Sequence, residues 1–146
     1  MREGQDVTLM GIGIMVQACL EAADLLANEG VEVRVVNLGC LKPLDWELVV
    51  DSARRTGAVV TAEEHMVTGG LGSAVSEILA EHCPKPLKRI GLQDTFGMSG
   101  KPAELLKHYG LTAENIKQAA VQVMARKANH LASPFLDLKA PKTAGR

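Results

Sequence analysis

Four short apolar runs recur down this chain, each followed by a stretch with helical spacing. "DVTLMGIG" (6–13) is bounded by polar Gln5 and by glycines and reads as a buried strand. In "IMVQACLEAADLLANEG" (14–30), Val16, Cys19, Leu20, Ala23 and Leu26 recur at helical spacing, and Gly30 supplies the stop. "VEVRVVNLG" (31–39) alternates, then becomes continuously apolar, as a second strand does. The segment 43–57 opens with Pro43 near a first helical turn, carries Leu44, Leu48, Val49 and Ala53 on one face, and closes at Gly57. "AVVTAEEH" (58–65) is a third strand and "GGLGSAVSEILAEH" (69–82) a third helix. "LKRIGLQD" (87–94) is a fourth strand, entered through the breaker Pro84-Lys85-Pro86. Residues 96–110 run from a loop into a short helix. A last helix follows Thr112, its N-cap, with Asn115 where a capping box would place Glu.

Strands alternating with helices imply a mostly parallel sheet covered on both faces. A chain of 146 residues is one domain by length. Aromatic residues make up only 3%, so the core has to be built from Val, Leu, Ile, Ala and Met. The net charge is −1 and the basic residues are dispersed, which leaves no electrostatic footprint for nucleic acid and no draw to a membrane surface. The three cysteines, Cys19, Cys40 and Cys83, share no metal-ligand spacing, and their odd number argues against a disulfide framework. We read them as small core residues in a reducing, cytoplasmic compartment. The N-terminal apolar stretch ending at Cys19 is not a secretory signal: Glu3 and Asp6 stand where positive charge belongs, and the stretch is too short to span a bilayer. From residue 131 to 146 Pro, Lys and Gly rise and periodicity vanishes, so a disordered tail is expected there.

In a parallel α/β sheet, ligands and partners meet the carboxyl ends of the strands. That rule puts Gly11-Ile12-Gly13, Asn37, Glu63-Glu64-His65 and Gly69-Gly70 along one edge. Gly11-x-Gly13 lacks the third glycine of a dinucleotide fingerprint (Val16 stands there), and no acid ends the second strand, so NAD binding is not supported. Two carboxylates and an imidazole at Glu63, Glu64 and His65 could do acid–base work. Strand neighbours point to opposite faces, however, so at most Glu63 and His65 can converge, with Glu64 opposed. The bland reading is a polar strand end that holds its own loop or a neighbouring domain. Gly69, Gly70, Gly72 and Ser73 open the third helix, whose free N–H groups can hold an anion. That anion is either a phosphate or a carboxylate supplied by Glu63 or Glu64. No lysine follows, so this is not a Walker loop. In Phe96-Gly97-Met98-Ser99-Gly100-Lys101-Pro102, glycines and Ser99 surround a single aromatic anchor, and Lys101 either neutralises an anion or is simply solvated. Trp46 and Tyr109 read as packing residues on helices.

Three blocks carry a family resemblance: "DVTLMGIGIMVQACLEAADLLANEGVEVRVVNLGCLKPLD", "VVTAEEHMVTGGLGSAVSEILAE" and "DTFGMSGKPAELLKHYGLTAENI". In order and without a large gap, they resemble the carboxyl-terminal domain of transketolases, in the split form found as a separate subunit in bacteria and archaea. The first two blocks are also similar to the last domain of 1-deoxyxylulose-5-phosphate synthases and of 2-oxoacid dehydrogenase E1 β subunits. The expected fold is therefore α/β, a three-layer αβα domain over residues 1–130, with a mostly parallel sheet of about five strands, one of them antiparallel. The resemblance implies a part of an enzyme that uses thiamine diphosphate and Mg²⁺ to move a two-carbon ketol unit between sugar phosphates. It implies partners in the pyrimidine-binding and diphosphate-binding domains or subunits, and a dimer in the complete enzyme. It carries no catalytic, cofactor or metal residue onto this chain, which reads as a fragment or lone domain with a structural role. The alternative is a partner-docking or effector-binding module of the two related enzymes. On this view the edge at Glu63–Ser73 faces a neighbouring domain, and Gly70→Val weakens assembly more than it unfolds the domain.

Overall fold

The computed structural model describes residues 1–132. Nine elements follow one another: β1 (Val7–Gly11), α1 (Met15–Ala27), β2 (Val33–Asn37), α2 (Trp46–Thr56), β3 (Val59–Met66), α3 (Leu71–His82), β4 (Leu87–Leu92), α4 (Pro102–His108) and α5 (Ala113–Ala132). Among the described residues the sheet has four strands in the order β2-β1-β3-β4, every pair parallel. The five-stranded expectation is corrected in this respect. The only antiparallel pairing among the described residues is an isolated bridge of Arg2 to Val35 on the outer edge of β2. It stays one residue long because the Gln5 and Asp6 N–H groups both turn in to the Glu32 carbonyl, taking the chain out of the ladder. The tail expected at 131–146 lies outside the described residues, apart from Leu131 and Ala132 at the end of α5.

The side chains of β1 alternate between two cores, as the pleat requires. Val7 and Leu9 join Val33, Val35, Val60 and Ala62 under α1 and α5, where Cys19, Leu26, Ile116 and Val123 complete the layer. Met10 faces the other side with Val36 and Val59, covered by Val49 and Ala53 of α2 and by Leu71, Val75 and Leu79 of α3. A strand buried on both faces has to be apolar throughout, and all five residues of β1 are buried. Lys127 of α5 donates to the carbonyls of Asp6 and Thr56, which ties the last helix to the entry of β1 and the end of α2.

Two element boundaries differ from the sequence reading. Helix α2 starts at Trp46 rather than near Pro43, because the Asp45 side chain accepts the Leu48 N–H and caps it. Its end is as expected, with Gly57 left-handed at φ 71°. The cysteines also divide. Cys19 and Cys83 are buried, but Cys40 is exposed, since Leu38 takes the core position after β2. Burial pushes the Cys19 thiol from about 9 up to about 12. The unfolded chain ionises this thiol first, so it favours the fold below pH 9, and that contribution is lost as pH rises from about 9 to about 12. We expect one thiol, Cys40, to react with a disulfide reagent in the native protein at pH 8. Cys19 and Cys83 should react only on unfolding, counted by mass spectrometry.

Candidate functional site

The order β2-β1-β3-β4 reverses direction between β1 and β3, so the carboxyl ends of these two strands form the switch point of the sheet. Gly11 ends β1 there. A Cβ on it would stand 3.0 Å from the Val16 Cα, so glycine lets α1 turn back tightly against its own strand. Facing this turn is the passage from β3 into α3.

Val59, Thr61 and Glu63 alternate onto the face covered by α2 and α3. Glu63 is only 1% exposed, a buried carboxylate among apolar residues. It is kept there by the start of α3: one carboxylate oxygen accepts the Leu71 N–H at 2.6 Å and the other the Gly72 N–H at 2.8 Å. Two N–H groups that every helix leaves unpaired, together with the positive end of its dipole, thus compensate a charge brought in from the preceding strand. Of the two anions open from the sequence, the protein's own Glu63 is the one at this helix start. The glycines serve this contact. A Cβ on Gly70 would lie 1.9 Å from the Glu63 Oε2 and 2.6 Å from the Met66 carbonyl oxygen. A Cβ on Gly72 would meet Arg89 Cδ at 2.7 Å. Gly69 supplies the left-handed turn, φ 79°. Ser73, in the first turn of α3, accepts the Gly69 N–H and donates to the Val67 carbonyl. The Gly70 contact corrects the expectation for Gly70→Val, because the added side chain would collide with the domain's own carboxylate.

The rest of the acid–imidazole group does not converge on Glu63. A register shift between Ala62 and Met66 turns the end of β3 out of the regular ladder with β4. His65 and Glu64 are exposed, His65 lying 3.4 Å from the Met66 carbonyl through Nδ1, and Glu64 lining a separate pocket. That pocket, about 460 Å³, lies between Ile14, the end of β4 and α4. The loop after β4 is held over it by the Met98 N–H, which donates to the Tyr109 hydroxyl. Phe96 is 100% exposed, so it is not the anchor of its loop; Tyr109 is. Lys101 is exposed and 3.9 Å from Glu104, and Ser99 is exposed, so neither is held near the α3 start.

Sequence reasoning missed two contributors to the α3 start. Arg89 reaches across from β4 to the Val67 carbonyl and the Ser73 hydroxyl. Gly91 lies so close that a Cβ on it would stand 2.8 Å from the His65 carbonyl oxygen and 3.0 Å from the Glu63 Cγ. The signal for it was a glycine inside a strand pattern, which marks a close backbone approach. Beneath the same turn, the Thr61 hydroxyl is fully buried with no hydrogen-bond partner among the described residues. Replacing it with a methyl of the same shape removes an unpaired polar group. Thr61→Val should therefore be neutral or stabilise by up to about 1 kcal/mol, read as an unchanged or higher urea midpoint.

A family model described as the transketolase C-terminal domain matches residues 1–116. The chain belongs to the transketolase carboxyl-terminal domain family. It is 50% identical over 127 residues to the 6-deoxy-6-sulfo-D-fructose transketolase subunit SqwH of Clostridium sp. (strain MSTE9), covering 87% of this chain and 39% of that one. It is 44% identical over 134 residues to the 1-deoxy-D-xylulose-5-phosphate synthase of Symbiobacterium thermophilum, covering 91% of this chain and 21% of the synthase. Among solved structures, a split-gene transketolase described as an inactive β4 tetramer superposes with a TM-score of 0.83 at 52% identity, covering 86% of this chain and 41% of that one. The chain thus spans about two fifths or less of these relatives.

Transketolases use thiamine diphosphate, and the edge described here does not fit that group. The N–H groups a diphosphate would need at α3 are taken by Glu63, and Gly70 closes over its carboxylate. Among the described residues no three His, Cys, Asp or Glu side chains gather to hold a cation. Among the same residues no helix is long and apolar enough to cross a membrane.

Proposed function

We propose that this chain is the carboxyl-terminal domain or subunit of a cytoplasmic, thiamine-diphosphate-dependent transketolase and serves its assembly. The complete enzyme moves a two-carbon ketol unit from a ketose phosphate to an aldose phosphate. The cofactor, its Mg²⁺ and the reacting sugars belong to the pyrimidine-binding and diphosphate-binding parts, which together form a dimer. One observation carries the structural role: the anion site built by the fold at the head of α3 is closed by the protein's own Glu63. The exposed edge around it, with Glu64, His65 and Gly69, is then a contact face toward the neighbouring domain, with the exposed Ser99 and Lys101 on the separate loop before α4 as further contact candidates. The likeness to the SqwH subunit and to a split-gene transketolase supports this reading.

A second reading has its own support in the 44% identity to a 1-deoxy-D-xylulose-5-phosphate synthase. The two separate on one preparation, the chain expressed from its gene with the flanking coding sequence. A transketolase part co-purifies with a pyrimidine-binding domain and yields ketol transfer from a ketose phosphate. Co-purification with synthase activity alone favours the second reading. Full transketolase activity in a preparation lacking this chain contradicts the assembly role.

A further inference from the structure

The pocket beside the α3 turn has features that a solvent-facing loop does not need. Ile14, from the turn after β1, is 53% exposed, and Met98, from the loop after β4, is 59% exposed; both line it. Phe96, flanked by the lining residues Thr95 and Gly97, is 100% exposed. Two large exposed apolar side chains from two separate loops, Ile14 and Met98, therefore line one opening, with a third, Phe96, in the same loop as Met98, whereas single exposed apolar residues are ordinary. The walls, including Leu92, Leu105 and Leu106, are apolar as well. The one carboxylate lining the pocket is Glu64, which makes no ion pair among the described residues.

We propose that this pocket receives an apolar side chain of the neighbouring pyrimidine-binding domain, with a lysine or arginine next to it paired to Glu64. The proposal rests on the assembly role above and names its contact. Charge complementarity selects the flanking residue: a lone carboxylate on an apolar rim disfavours an acidic or purely apolar neighbour and favours a cation. The pocket's size suits one or two large side chains rather than a whole helix. Its place also fits, since it adjoins the switch point where partners of parallel sheets meet the strands. The SqwH subunit and the split-gene transketolase hold about three fifths of their length outside the matched region, which is chain enough to supply the occupant. The tether from Met98 to Tyr109 holds the loop open over the pocket, so little reordering is required on docking.

Photo-crosslinking tests this directly. A benzophenone amino acid replaces Phe96 in the chain expressed with its flanking coding sequence, and crosslinked peptides are identified by mass spectrometry. The expected product joins position 96 to a peptide of the pyrimidine-binding domain with an apolar residue beside Lys or Arg. In parallel, Ile14→Asp with Met98→Asp should weaken association at least tenfold, and Glu64→Lys should do the same. All three positions are exposed, so the melting temperature of the chain itself should stay within about 2 °C. A crosslink to a second copy of this chain would overturn the proposal, as would association unaffected by these substitutions. If no pyrimidine-binding domain co-purifies even with the unaltered chain, the assembly role itself fails. If it co-purifies but neither crosslinks nor responds to the substitutions, only the pocket's role fails.

Discussion

Glu63→Gln is expected to destabilise the isolated chain by about 2–4 kcal/mol, because it leaves buried hydrogen-bonding groups without partners. At this chain length that is a fall in melting temperature of roughly 6–12 °C. Both carboxylate oxygens are engaged, one with each of the Leu71 and Gly72 N–H groups. An amide offers one acceptor and one donor. Whichever way it flips, an NH₂ group faces a backbone N–H: that N–H loses its acceptor and the new NH₂ donor finds none there. The loss falls at the head of α3, so amide exchange should accelerate first at residues 71–74 and less in α1 or α5. A general-acid role for Glu63 would give a different result, a loss of activity with an unchanged urea midpoint.

Gly70→Ala should be at least as damaging, about 3 kcal/mol or more, since overpacking is compounded by the loss of hydrogen bonds. Its φ of −97° is ordinary for any residue, so the cost is not backbone strain. It comes from one methyl placed where the Glu63 Oε2 already lies, at 1.9 Å, and beside the Met66 carbonyl. Glu63 has to retreat, and its bonds to α3 go with it. The two substitutions therefore share a cause and should not add. A cycle of Glu63→Ala, Gly70→Ala and the double variant should show a coupling of about 1–3 kcal/mol, the double costing less than the sum. Additivity would mean that Gly70 acts elsewhere, for example only at a domain interface. Gly70→Val extends the same clash and should leave little folded chain at 37 °C.

These effects show how far the sequence could be read. The strands and helices were legible because apolar runs and helical spacing alternate without ambiguity. The switch-point edge followed from that order alone. The four strands were legible as four apolar runs; the fifth, antiparallel one was implied only by the family resemblance, and among the described residues the bridge of Arg2 to Val35 is all that pairs that way before the chain turns in to Glu32. At the site, an anion at the head of α3 was legible, but not whether it was a phosphate or the chain's own carboxylate, nor which carboxylate. Glu63 shares its face with Val59 and Thr61, whereas the register shift after Ala62 decides where Glu64 and His65 go, and irregularity of that kind leaves no periodic trace. Phe96 misled for a related reason. An aromatic among glycines suggests an anchor within one chain, and the sequence carries no sign of whether its surroundings are the domain's own core or a neighbour's surface. The real anchor, Tyr109, bonds through a hydroxyl to a backbone N–H eleven residues away, a contact with no local signature.

The central claim is that this domain fills its own anion site and leaves the cofactor to its partners. The most direct measurement is calorimetric titration of thiamine diphosphate with Mg²⁺ into the isolated chain. No heat beyond dilution at millimolar cofactor is the predicted result. A saturable isotherm with one site per chain, abolished by a substitution at the Gly69–Ser73 turn, would contradict it.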